Sequence, residues 1–127
     1  IEVRPTTTPR PRPTGALGFG IHFTDHVFRM DYKEGAGWQH ARIEAYSGAT
    51  LDPAASVLHY AQVVFEGLKA FRGPDGGLRL FRVDRHARRF AKSCEKLCIP
   101  AIPESDVIEA IVRVVEQDAS WVPDASS

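Results

Sequence analysis

Residues 58–82 read LHYAQVVFEGLKAFRGPDGGLRLFR, and the way this stretch divides decides the fold. Leu68 to Phe71 and Leu78 to Phe81 flank Pro74, Asp75, Gly76 and Gly77. Proline presets one backbone angle and glycine tolerates positive ones, so the four residues predict a tight reversal between two strands. Upstream, Leu58, Ala61, Val64 and Phe65 recur at helical steps until Gly67, which predicts a short helix entering the hairpin. Downstream, Val83, Ala87, Phe90, Cys94 and Leu97 step by four and three, the spacing of one buried helical stripe, and Pro100 closes it. A last helix is expected where Val107, Ile108, Ile111, Val112 and Val115 share one side, and Trp121 and Pro123 open a further segment.

Toward the amino terminus, Ile21, Phe23, Val27, Phe28 and Met30 have strand-like composition, and a second strand is expected over His40 to Tyr46. Before them, Pro5 to Pro13 alternate proline with threonine and arginine, which disfavours regular ladder pairing and predicts an extended arm that acts as linker or tether. The resulting division is an arm over 1–16 and one small domain over 17–127. Strands including a hairpin, followed by two amphipathic helices, define an α+β class with a mostly antiparallel sheet.

Composition bounds the function. The 127 residues are 43% apolar and 25% charged, enough for one globular core. Sixteen basic residues balance sixteen acidic ones, so no overall field draws in nucleic acid or an anionic membrane. No apolar run approaches the ~18 residues of a membrane span. Cys94 and Cys98, four apart in a helical pattern, read as small core residues of a reducing compartment, and a cytoplasmic setting is expected. The sequence opens on Ile1, so its natural start is expected to be missing.

Several chemistries find no support. His22 and His26 fall on an expected strand, where four residues span about 13 Å, too far to share an ion. The cysteine pair has no second ligand pair, so no metal site is expected. Gly15, Gly18 and Gly20 are in the wrong order for a dinucleotide fingerprint, and no serine stands in a G-x-S-x-G turn. Two constellations stay open. Arg85, Arg89, Lys92 and Lys96 form a basic ridge opposite the helical stripe; it reads either as a solvated face or as an anion site, where an arginine fork suits phosphate. Tyr60, Phe65 and Phe71 cluster around Glu66 and Lys69. They read either as core beside a local ion pair, or as the wall of a site for a small, largely apolar substrate.

The quoted stretch resembles the signature segment of branched-chain amino-acid aminotransferases, pyridoxal-phosphate enzymes of fold type IV. The likeness extends upstream to FGIHFTDHVF at 19–28 and downstream through RFAKS at 89–93 and DASWVP at 118–123, leaving out only residues before about Leu17. D-amino-acid aminotransferases and aminodeoxychorismate lyases, which share that fold, are the alternative; their equivalent stretch typically reads G-D-G-x-[FY]-E. A non-catalytic binding module is the alternative from another class. The resemblance implies that Arg89, in Arg89-Phe90-Ala91-Lys92-Ser93, binds the phosphate of pyridoxal 5′-phosphate, with Arg88 as its neighbouring rival. It implies that Phe19 and Phe65 line the substrate's apolar side-chain pocket. Tyr60 is implied to face substrate in the neighbouring subunit of a homodimer. Lys69 matches a non-catalytic lysine, and the catalytic lysine is expected beyond Ser127. The implied reaction exchanges an amino group between leucine, isoleucine or valine and 2-oxoglutarate. The 127-residue chain alone is expected to be inactive and not to hold the cofactor.

Overall fold

The computed structural model describes residues 1–15 and 17–124. Ala16, at the end of the expected arm, and residues 125–127, at the end of the expected domain, lie outside the described residues. The described part is α+β. Strand β1 (Glu2–Arg4) pairs in parallel with β3 (Gly37–Ala45), which pairs antiparallel with β2 (His26–Lys33), giving the order β1-β3-β2. A second, two-stranded antiparallel sheet is formed by β4 (Ala70–Arg72) and β5 (Leu78–Leu80). Between the sheets in sequence lies the short helix α1 (Ser56–Tyr60). Helices α2 (Val83–Lys96) and α3 (Glu104–Gln117) follow, and a 3-10 turn over Ala119–Trp121 ends the described elements.

The hairpin forms where expected. Phe71 lies opposite Arg79, the Gly73 N–H donates to the Gly77 carbonyl at 2.8 Å, and Gly76 takes the positive φ of 77° that its missing Cβ permits. Asp75 closes the turn by accepting from the Gly77 N–H at 3.1 Å and pairing with Arg79 at 2.8 Å. Helix α2 buries Ala87 and Cys94 on the expected stripe, and α3, which buries Ala110, packs against both α2 and β2. Asp106 and Glu104 occupy the first turn of α3, where carboxylates oppose the positive end of the helix dipole. Ile43 of β3, fully buried, anchors the sheet side of this core.

Four expectations need correction. The helix expected from Leu58 stops at Tyr60, because Ala61 turns left-handed at φ 49°. From Val63 to Arg72 burial alternates strictly: even-numbered residues are half-buried and odd-numbered ones exposed, the signature of extended chain. Val63, Val64 and Phe65, β-branched or aromatic, favour that state, so a four-residue coincidence with helical spacing misleads. Second, the strand expected from Ile21 begins only at His26, leaving His22 outside any strand, and β3 starts at Gly37 rather than His40. His40 itself sits in β3 at φ 55°, opposite the register shift between Arg29 and Asp31. Third, β1 falls within the stretch expected to be an arm, since three residues carry no readable period, and its pairing with β3 makes that sheet mixed. Fourth, Cys98 is exposed beyond the end of α2 and Leu97 is its exposed cap, so only Cys94 is a core thiol.

Candidate functional site

Past the left-handed Ala61 and the turn in which the Val63 N–H donates to the Ala61 carbonyl at 2.8 Å, alternating burial over 63–72 sets consecutive side chains on opposite faces, and this local rule builds the site. Phe65 points outward while Glu66 turns inward, where its side chain is only 11% exposed. There Glu66 meets α2. Its Oε2 accepts from Arg89 Nε at 2.6 Å, and its Oε1 pairs with Arg89 Nη2 and lies 2.9 Å from His86 Nδ1. Positions 86 and 89 stand three apart, on one side of the helix. His86 Nδ1 also lies 3.3 Å from Arg89 Nη2, which can only donate; the shorter contact fixes Nδ1 as a donor to Glu66. The hydrogen bond from Arg89 holds the Glu66 carboxyl down to about 2 against the opposing effect of burial, with His86 helping.

Arg89 thus stands on the expected basic ridge with its side chain 65% exposed, and Arg85, Lys92 and Lys96 are exposed beside it. Its neighbour Arg88 leans the other way, toward Glu104 of α3 at 3.7 Å. The local pair of Glu66 with Lys69, one of the two readings open from the sequence, does not form; Lys69 lies on the outer face with Phe65 and Phe71. The three aromatic positions carried over by resemblance are all bare: Phe19 is 96%, Tyr60 82% and Phe65 86% exposed. Phe71 and Phe81 add to the exposed apolar area. Among the described residues no ring pair involves Phe19, Tyr60 or Phe65; the two pairs are Phe23 with Tyr46 and Tyr32 with Trp38. The structure therefore joins Phe65 to Arg89 through the Phe65-Glu66 step of the backbone, and pairs neither Phe19 nor Tyr60 with the Phe65 ring.

A second polar constellation escapes any reading of the sequence. Asp25, His26 and Asp118 are buried at the edge of β2. Asp25 accepts from the Arg10 backbone N–H at 2.7 Å, Arg12 Nη1 at 3.0 Å and Trp121 Nε1 at 2.9 Å. Burial works against its ionisation, but these donors outweigh burial and leave the carboxyl at about 2. His26 Nε2 accepts from the Thr6 N–H at 2.9 Å, so the ring proton sits on Nδ1, which donates to Asp118 at 2.6 Å. Arg12 lies over the Trp121 ring, 4.1 Å from its centre. The proline-rich arm is in this way pinned to the 3-10 turn. Arg12 and Trp121 stand 109 positions apart in sequence, so no local pattern announces the constellation.

Among the described residues no group of three or more metal-ligating side chains comes together, and no helix is long and apolar enough to cross a membrane. An exposed arginine fork held from behind by a carboxylate stands beside an apolar face in this α+β unit, and the known proteins it is similar to are aminotransferases. No protein-family model matches the chain. It is 51% identical over 114 residues to branched-chain-amino-acid transaminase 1 of Bacillus subtilis, a match covering 90% of the chain and 32% of that protein. It is 48% identical over 108 residues to the branched-chain-amino-acid aminotransferase of Mycobacterium tuberculosis, covering 85% of the chain and 29% of that protein. With the mouse mitochondrial branched-chain-amino-acid aminotransferase it shares 39% identity over 128 residues, 99% of the chain and 33% of the relative. By homology the chain belongs to the branched-chain-amino-acid aminotransferases, and it spans about a third of the length of these relatives.

Proposed function

We propose that the whole protein exchanges the amino group between leucine, isoleucine or valine and 2-oxoglutarate, with pyridoxal 5′-phosphate bound in a fold-type-IV cleft. The observation that carries this reading is the Phe65-Glu66 alternation, which sets an exposed aromatic wall one residue from the carboxylate that holds Arg89. The donor chemistry at Arg89 fits a phosphate: a planar, permanently charged fork standing on a basic ridge. When bound, the cofactor supplies an electron sink and a carbonyl carbon that takes up the amino group and returns it to the second substrate.

The residues of this chain bind and orient. Arg89 grips the phosphate and so fixes the reactive end of the cofactor relative to the protein. Phe19 and Phe65 take the aliphatic side chain of the substrate out of water, a contact worth about 0.8 kcal/mol per buried CH₂. Tyr60 offers an apolar ring with one polar tip to the site of a neighbouring subunit in a homodimer. The exposure of all three supports a complete site that covers them with further protein. The amine that moves the proton at the substrate alpha carbon is assigned to a lysine beyond Ser127, not to Lys69. A cytoplasmic setting fits the two free thiols.

The test is glutamate formation from leucine and 2-oxoglutarate by the full-length protein. Activity should require pyridoxal 5′-phosphate, fall steeply in Arg89→Ala and persist in Lys69→Ala, while the 127-residue chain alone shows no turnover. Preference for D-alanine over leucine would move the protein to the other branch of the fold. Turnover by the chain alone would sink the assignment of the lysine.

A further inference from the structure

We propose that Glu66 is a positioning residue for the cofactor phosphate, holding one edge of the Arg89 guanidinium so that the other edge is presented to the dianion in a fixed orientation. The inference rests on the assignment of Arg89 proposed above.

A guanidinium can grip an oxyanion along its Nε side edge or across its two terminal nitrogens. Glu66 takes the side edge, with Oε2 on Nε at 2.6 Å and Oε1 on Nη2. Nη1 donates to no protein group among the described residues, which leaves the terminal edge open. The carboxylate is itself fixed from two further directions, by the Gly67 N–H at 3.1 Å and by His86 Nδ1 at 2.9 Å. Burial is divided in the same sense: the Glu66 side chain is nearly covered and that of Arg89 is largely exposed. An anchored anion therefore aims a cation that would otherwise sample many rotamers on the open face of a helix.

Two effects of Glu66 on a bound phosphate oppose each other. Its negative charge weakens the pull of Arg89 on a second anion, whereas its grip removes the cost of ordering a long side chain at the moment of binding. The geometry favours the second effect, because Glu66 satisfies only the edge that a phosphate at the terminal nitrogens does not use.

The experiment compares pyridoxal 5′-phosphate with pyridoxal, which lacks the phosphate, by equilibrium fluorescence titration of the full-length apoprotein. Glu66→Ala should raise the Kd for the phosphorylated form about tenfold, the size of one lost charge-assisted hydrogen bond, and leave that for pyridoxal within about twofold. Glu66→Gln, which keeps one acceptor oxygen for Nε, should recover part of the loss. Each variant carries its own control for folding, since a damaged protein weakens both ligands alike. Equal weakening of both would make Glu66 merely structural and overturn the proposal; unchanged or tighter binding of the phosphorylated form would make it a competitor and overturn it as well. If Arg89→Ala leaves the preference for the phosphorylated form intact, the assignment of Arg89 fails first, and that of Glu66 with it.

Discussion

At the edge of β2, Asp25, His26 and Asp118 lie buried with backbone and side-chain donors converging on both carboxylates, and residues from the arm and the 3-10 turn close over them. On the outer face of the 63–72 segment the reverse holds: Phe65 and Phe71 stand in water with Lys69 between them, and Tyr60 is bare nearby in sequence. Polar groups inside and aromatic groups outside invert the usual rule of burial, and each inversion has its own physical meaning. A buried carboxylate persists only when its partners offset the loss of hydration, so the clasp is a finished structure. Exposed aromatics cost little to the chain that carries them but gain from any surface that covers them, so the outer face is an unfinished one.

The difference is broken most severely at Asp118. It accepts from the His26 backbone N–H at 3.0 Å and from His26 Nδ1 at 2.6 Å, and all of these groups are buried. Asp118→Ala strands two donors away from water and should cost about 3 kcal/mol of stability. Asp118→Asn, which keeps the shape and one acceptor, should cost roughly half as much. Urea unfolding of the chain measures both; equal, negligible losses would show that the clasp is not closed in solution.

How far each region is legible follows from the sequence distance of its contacts. The hairpin is readable because Pro74, Asp75, Gly76 and Gly77 carry its geometry themselves, and α2 and α3 are readable because one apolar stripe runs the length of each. The clasp joins Thr6 and Arg10 to His26 and Asp25, and these to Asp118 and Trp121, through contacts that exist only after folding. Likewise the sequence offers Lys69 as the near neighbour of Glu66, whereas its partners stand at 86 and 89. The alternation at 63–72 is in principle visible. Helical and extended spacings coincide over so short an apolar run, and only the β-branched and aromatic run Val63-Val64-Phe65 leans toward the extended reading.

Acid sharpens the comparison at an intermediate scale. The Asp25 carboxyl lies at about 2 in the folded chain against an ordinary 3.8, so its contribution to stability is complete above pH 3.8 and is lost as pH falls through about 2. A carboxyl held that far below its ordinary value contributes about 2 kcal/mol, all of which disappears once it is protonated in both states. Glu66 is held down in the same range, so wild type must be compared with Asp25→Asn, whose stability should fall less between pH 4 and 2. Parallel curves for the two proteins would detach Asp25 from the acid response.

The smallest effect on folding is expected where the exposed surface looks most vulnerable. Phe65→Ser with Phe71→Ser removes two aromatic rings that face water, and the strand pairing of β4 with β5 is left in place, so the stability of the chain should change by no more than about 0.5 kcal/mol. Self-association of the chain, followed by sedimentation at rising concentration, should decline in the same variant, because the removed rings are a large part of the surface that drives it. A loss of stability comparable with that of Asp118→Ala would mean that the two rings pack onto the body of the chain in solution, and the contrast between a finished clasp and an unfinished face would then dissolve.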